Sequence, residues 1–302
     1  MAEWIGINRR ARRCYGFDEV ALVPGAQTVN PNEVNANFEF NGKKFKIPIL
    51  AAAMDGVVNV RFAIEMSRLG GIAVLNLDGI QTRYENPDDV LEEISKATPQ
   101  KATELIQKVY TTPIKEKLVS KRVAEIKKAK AMACVSCIPA NAEKFSKLAI
   151  AAGADIFVVQ STVATIKHIS TQYKTLNLEK FCKSIKIPVI LGNCVTYETT
   201  LDLMSTGASG LLIGVGPGAA CTTRGVLGIG VPQVTATVDA AGARDFYYKR
   251  TGKYVSIITD GGMNRGGDIC KAFACGADAV MIGSSFARAQ EAPGRGFNWG
   301  MA

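Results

Sequence analysis

Eight short segments, apolar at nearly every position, alternate with segments of helical spacing, and this rhythm predicts an α/β fold, a closed (β/α)8 TIM barrel. Two further observations support it. Three helix-to-strand junctions share one phrase, Ala152-Gly153-Ala154-Asp155, Thr206-Gly207-Ala208 and Cys275-Gly276-Ala277-Asp278, in which glycine supplies a left-handed helix cap. Small and polar residues gather at the C-terminal ends of the predicted strands, where barrels keep their chemistry. An open doubly wound sheet is the alternative arrangement of the same rhythm.

Taken in order, residues 1–45 read as an irregular arm ending in a hairpin over 38–45, turned at Asn41-Gly42. A strand over 47–53 precedes a helix over 60–69, whose Phe62, Ile64, Met66 and Leu69 are apolar and which Gly70-Gly71 closes. A strand over 72–76 follows. Residues 77–130 are the longest interval between strands and are rich in charge; two or three helices are predicted there, over 87–95, 103–109 and 117–130. The interval reads as an insertion within a single domain spanning 1–302. Strands are then predicted over 132–137, 155–160, 187–191, 210–214, 254–259 and 278–283. The helices between them cover 142–151, 178–185, 197–204, 235–249 and 267–274. Only a short Gly/Pro-rich tail follows the last strand, so the eighth helix is expected to be absent.

Composition narrows the function. A chain of 302 residues, 47% hydrophobic, can bury one large core. No apolar run reaches the roughly 18 residues of a membrane span, and the N-terminus lacks a signal-peptide pattern. Eight scattered cysteines do not form a secreted disulfide framework, so a cytoplasmic protein with reduced thiols is expected. The formal charge is +9, but lysines between Lys96 and Lys130 mix with glutamates at helical spacing, as on a solvated face. Basic and aromatic residues do not interleave, so no nucleic-acid surface is expected. A net positive field favours anionic substrates.

After the sixth strand comes Gly214-Val215-Gly216-Pro217-Gly218-Ala219-Ala220-Cys221-Thr222-Thr223-Arg224. Glycines let the backbone turn sharply and offer its own polar groups, and a cysteine in such a loop is either exposed and reactive or a packed thiol in a glycine-rich turn. Gly261-Gly262 and Gly283-Ser284, after strands seven and eight, fit the phosphate site that barrels build there from backbone amides. Asp260 beside them suits a ribose diol, or alternatively a loop cap. Cys134 and Cys137 form a Cys-x-x-Cys with no second pair, which reads as buried strand thiols. His168 is the only histidine, read as a surface or packing residue, so no histidine triad or histidine-rich metal site is evident.

These stretches together resemble the IMP dehydrogenase/GMP reductase family along nearly the whole chain. The carrying residues are Gly16-Phe17-Asp18-Glu19-Val20-Ala21-Leu22-Val23-Pro24, Ala53-Met54-Asp55, the loop from Gly214 to Arg224, Gly230-Val231-Pro232-Gln233, Asp260-Gly261-Gly262 and Met281-Ile282-Gly283-Ser284. The pattern is most similar to the bacterial IMP dehydrogenase-related branch lacking CBS domains, with 77–130 in the place of the CBS pair. The resemblance implies that Cys221 attacks C2 of the purine, that hydride passes to NAD, and that water releases XMP, with Thr223 near the reacting centre. It implies a nucleotide monophosphate site at Met54, Ala219, Asp260, Gly261, Gly262, Gly283, Ser284, Gly300 and Met301. It places the dinucleotide at Gln160, Ser161, Asn193, Gly214 and Gly216, and a potassium ion on the carbonyls of Gly216, Gly218 and Cys221. It also implies a homotetramer.

Several positions depart from the family's pattern. Ala219 replaces a phosphate-binding serine, Gln160 an aspartate of the nicotinamide-ribose site, and Leu212 an arginine of the sixth strand. Asn298 lies near the position of a phosphate-binding tyrosine. The family's mobile flap and eighth helix would fall after Ala302, so a barrel lacking both is expected. Two other functions fit the same motifs: NADPH-dependent GMP reductase, and a catalytically silent purine-nucleotide-binding paralogue.

Overall fold

The computed structural model describes residues 2–300 except residue 173. Two strands, β1 (Ala2–Gly6) and β2 (Arg9–Arg12), form an antiparallel ribbon in the arm that the sequence reading treats as irregular. Its alternation is masked by charge: the ribbon is exposed on both faces, and Trp4 is 62% exposed beneath the Arg10 guanidinium, 4.1 Å from the ring centre. The arm returns to the body at Phe17, which is buried, and at Tyr15, whose amide donates to Thr235 Oγ1 at 2.8 Å.

The second ribbon, β3 (Phe38–Phe40) and β4 (Lys43–Phe45), has the expected tight turn. Asn41 and Gly42 both take positive φ, 49° and 79°, as a type I′ hairpin requires. Strand alternation puts Phe38, Phe40 and Phe45 on one buried face.

Eight parallel strands then close a barrel: β5 (Ile49–Ala51), β6 (Ile72–Asn76), β7 (Cys134–Cys137), β8 (Ile156–Gln160), β9 (Val189–Cys194), β10 (Gly210–Ile213), β11 (Ser256–Asp260) and β12 (Ala279–Ile282). The ring shuts where Val280, Met281 and Ile282 pair with Ile49, Leu50 and Ala51. Both strand faces are apolar because both are covered. One set, including Leu50, Ile72, Val74, Ile156, Val158 and Met281, fills the interior, and the three phenylalanines plug its N-terminal end. The alternate set, including Ala51, Leu75, Phe157 and Leu211, packs against the helices. Cys134 joins the interior and Cys137 the outer layer, because residues three apart on a strand face opposite ways. Neither can pair with the other or share a metal.

The helices are α1 (Val60–Leu69), α2 (Pro87–Lys96), α3 (Pro99–Thr111), α4 (Glu116–Lys128), α5 (Pro139–Ala151), α6 (Leu178–Ser184), α7 (Tyr197–Ser205), α8 (Thr223–Leu227), α9 (Gln233–Thr251), α10 (Gly266–Ala274) and α11 (Ser284–Ala287). Gly153, Gly207 and Gly276 stand at φ +97°, +92° and +96° after α5, α7 and α10, the left-handed caps expected from their shared phrase.

The interval 77–130 divides in two. Val119, Val123 and Ile126 of α4 belong to the main core, so α4 is the ordinary barrel helix between β6 and β7. The additional material is α2 and α3, which share a separate small core of Ile80, Leu91, Ile94 and Val109. Ion pairs lie on the outside of this region, as Lys96 with Glu92 within α2 at 2.7 Å and Lys117 of α4 with Glu85 just before α2 at 2.7 Å. After β12 the chain makes the four-residue α11 where the sequence reading places only a tail.

The hairpin plug makes a direct stability prediction. Phe40 is 1% exposed, and a Cβ on Gly210 would stand 2.9 Å from its ring. Phe40→Ala should cost about 3–5 kcal/mol through lost burial and the cavity left at the barrel base, read from the shift in urea midpoint.

Candidate active site

Four neighbouring strands, β8 to β11, end around one carboxylate. Asp260, the last residue of β11, accepts the Asn193 side-chain amide at 2.7 Å and the Gln160 amide at 3.2 Å, both on Oδ2. Gln160 also donates to Asn193 Oδ1 at 3.1 Å, and Asn193 donates to the Gly214 carbonyl at 2.9 Å. Burial pushes the Asp260 carboxyl up to about 6, while the Asn193 hydrogen bond pulls the other way.

Gly214 lets the strand ends close this far. A Cβ there would lie 2.4 Å from the Asp260 carbonyl oxygen and 2.8 Å from Gln233 Nε2. Gln233, at the start of α9, ties the same two strands by donating to the carbonyls of Ile213 at 2.6 Å and Asp260 at 3.3 Å. Its Oε1 is buried without a partner. Gln233 closes the Gly230-Val231-Pro232-Gln233 motif, and its position after Pro232 at a helix start is the one sequence signal of this role.

The cysteine loop sits on the same rim. Cys221 is exposed, its Sγ 3.2 Å from Thr223 Oγ1, and its amide donates to the Gly218 carbonyl at 3.0 Å. Arg224 fastens the loop at both ends, donating from Nε to the Val215 carbonyl at 3.0 Å and from Nη2 to the Val231 carbonyl at 2.6 Å. Its stem fills the space beside Gly216, where a Cβ would be 2.7 Å from Arg224 Cγ. Pro217 rests on Gly261 and Gly262, both near φ +80°: a Cβ on the first would be 3.3 Å from Pro217 Cγ and on the second 3.2 Å from its Cβ. The thiol loop is therefore seated directly on the tandem-glycine turn that follows Asp260. The Gly261 amide is committed to the Met281 carbonyl at 3.1 Å.

The remaining sequence-predicted positions lie at the ends of β5 and β12. Met54 abuts Gly283, where a Cβ would be 2.9 Å from its sulfur. Ser284 opens α11 and its Oγ accepts the Asn298 amide at 3.1 Å. Ser161 turns into its own loop, donating to the Val163 carbonyl at 3.0 Å, and Ala219 is exposed. Gly300 is exposed, and Met301 lies outside the described residues. His168 is on the surface of the loop after β8. Among the described residues no three His, Cys, Asp or Glu side chains group as a metal site. Burial raises the thiols of Cys134, Cys137 and Cys194, the last to about 11, which leaves them inert.

The chain matches the family described as the IMP dehydrogenase / GMP reductase domain over residues 14–300. A protein of Mycolicibacterium smegmatis named only as an uncharacterized oxidoreductase is 36% identical over 302 residues, covering 98% of this chain and 80% of the relative. Inosine-5'-monophosphate dehydrogenase of Borreliella burgdorferi is 32% identical over 311 residues, covering 95% of this chain and 72% of the relative. The crystal structure of an IMP dehydrogenase/GMP reductase-like protein from Corynebacterium glutamicum matches with a TM-score of 0.93 and 35% identity, over 99% of this chain and 80% of that one. The barrel, the cysteine loop on its rim and these likenesses together establish that the chain belongs to the IMP dehydrogenase/GMP reductase family of oxidoreductases.

Proposed function

We propose that this protein oxidises IMP to XMP through a covalent bond between Cys221 and C2 of the purine. The observation that carries this reading is the seating of the exposed Cys221 loop, through Pro217, on Gly261-Gly262 beside Asp260. One rim then offers a nucleophile, an acceptor for sugar hydroxyls and a glycine turn for the phosphate.

The Cys221 thiolate adds to C2, and the Thr223 hydroxyl at 3.2 Å supports the negative sulfur. Bound NAD would take the hydride, with its electron pair, that leaves C2. Water then attacks C2, the C–S bond breaks, XMP departs and Cys221 regains its thiolate, one proton of the water going to N3 of the purine and the other to solvent. Asp260 holds the ribose: Gln160 and Asn193 occupy Oδ2 and favour the ionised form, which leaves Oδ1 to accept hydroxyl protons. Gly262, Gly283 and Ser284, with Met54 and Ala219, border the phosphate and base, and Gly300 is a further proposed substrate position.

Gln160, Ser161, Asn193, Gly214 and Gly216 are the proposed dinucleotide positions. Gly214 is the exception in kind, because its missing side chain is required by the Asp260 carbonyl and Gln233. Leu212 is fully buried inside the barrel, so this chain brings no strand-six arginine to the rim. The loop fits a hard monovalent cation in donor type, since Gly216, Gly218 and Cys221 offer carbonyl oxygens. The Gly218 carbonyl would share such an ion with the Cys221 amide. We read α2 and α3, the part of 77–130 outside the main core, as standing in place of a CBS pair, and the assembly as a homotetramer.

Incubation with IMP and NAD should yield NADH, and Cys221→Ala should abolish it while leaving IMP binding within about threefold, as read by absorbance and calorimetry. Mass spectrometry should find a purine adduct on Cys221. NADPH consumption with GMP, without NADH from IMP, would favour the reductase reading, and IMP binding without adduct the silent one.

Asp260 supplies a pH test. Ionised above about 6, it accepts ribose hydroxyls; below that value its proton removes an acceptor site. Inosine, which lacks the phosphate's own titration, should bind more tightly as pH rises through 6, and Asp260→Asn should flatten that step and weaken binding about tenfold. Arg224→Lys, which cannot bridge both carbonyls, should lower kcat about tenfold with IMP affinity unchanged, measured by steady-state rates beside calorimetry.

A further inference from the structure

Asp55 follows Met54 beyond the end of β5 and is 1% exposed. Its Oδ2 accepts the Ile80 amide at 3.0 Å and the Tyr110 hydroxyl. Its Oδ1 has no partner and lies against Gly79, where a Cβ would stand 2.1 Å away. A buried carboxylate held on one side only depends heavily on each donor it has. Tyr110, on α3, is one of the two, and it reaches Asp55 from outside the barrel.

The same hydroxyl has a second role. Its oxygen accepts the Trp299 indole N–H at 3.1 Å, and the Arg83 guanidinium lies 5.5 Å from the ring centre. Trp299 and the Phe297 carbonyl cover Gly56, so closely that a Cβ there would be 2.5 Å from the Phe297 oxygen. Asn298, between them, donates to Ser284, and Met54 rests on Gly283. One phenol thus fixes three segments at once: α3, the 54–56 loop, and the tail that bears on 283–284.

We infer that Tyr110 is a positioning residue for the half of the nucleotide site made by Met54, Gly283 and Ser284, an inference that rests on the reading of that site given above. The additional helices α2 and α3 complete the site by holding Asp55 and Trp299 through a group that donates to one and accepts from the other. Phenylalanine fills the same space and can do neither.

The test compares Tyr110→Phe with Val109→Ala. Val109 is buried among Ile80, Leu91 and Ile94, so its truncation loosens α3 without touching the hydroxyl. Hydrogen exchange of the unliganded protein should quicken over 54–58 and 283–288 in Tyr110→Phe and stay at wild-type rates there in Val109→Ala. IMP affinity should fall about tenfold in the first and less than about twofold in the second, with kcat at saturating IMP unchanged in both. Wild-type exchange over 54–58 and 283–288 in Tyr110→Phe overturns the inference, as do equal effects from Val109→Ala. Failure of the wild-type protein to bind IMP overturns the proposed function instead, and the exchange rates still decide whether Tyr110 positions the loop.

Discussion

Closure of the sheet by pairing β12 with β5 is the constraint on which the rest depends. An open sheet would leave two unpaired edges and spread its strand ends along a line. Closing it removes the edges and gathers eight C-terminal strand ends onto one rim. The interior must then be filled by side chains, and Leu50, Val74, Val158 and Met281 do this with the phenylalanine hairpin at the base. With the base sealed by hydrocarbon, the polar ends lie at the other mouth.

On that rim the geometry is set by atoms that are missing as much as by those present. Gly214 permits the carbonyl of Asp260 to approach β10, Gly216 accommodates the stem of Arg224, and Gly261 and Gly262 accept Pro217. Each contact uses the space of an absent Cβ to bring loops of different strands together. Amide side chains then fix the polarity: Gln160 and Asn193 converge on Asp260, and Gln233 binds the strand carbonyls behind it. The carboxylate is buried enough to be raised to about 6, yet it is held by donors that favour its charged form.

The helices between β6 and β7 show how an insertion acquires a place in a site without joining the barrel. Of three, only α4 packs on the sheet, while α2 and α3 build their own small core and reach the rim through polar contacts. Tyr110 and Trp299, distant in sequence, meet over Asp55. The ion pairs on this region, such as Lys96 with Glu92, lie on the surface and are each worth less than about 1 kcal/mol, so the hydrocarbon contacts and the buried phenol hold it.

The sequence by itself determined the strand rhythm, the left-handed glycine caps after α5, α7 and α10, the Asn41-Gly42 hairpin and the burial of Cys134 and Cys137, because these follow from local periodicity and backbone preference. It also marked Cys221 and Asp260 through their glycine neighbours. It did not disclose the β1–β2 ribbon, whose solvated faces lack apolar alternation, nor α8 and α11, each too short to show a helical period. Only the tertiary structure decided that Gln160, Asn193 and Asp260 share hydrogen bonds, that Arg224 and Gln233 are clasps, and that Tyr110 meets Asp55. Apart from Arg224, whose carbonyl partners lie nine and seven residues away within one irregular loop, those partners lie tens of residues apart, and no local pattern encodes a distance that barrel closure alone creates.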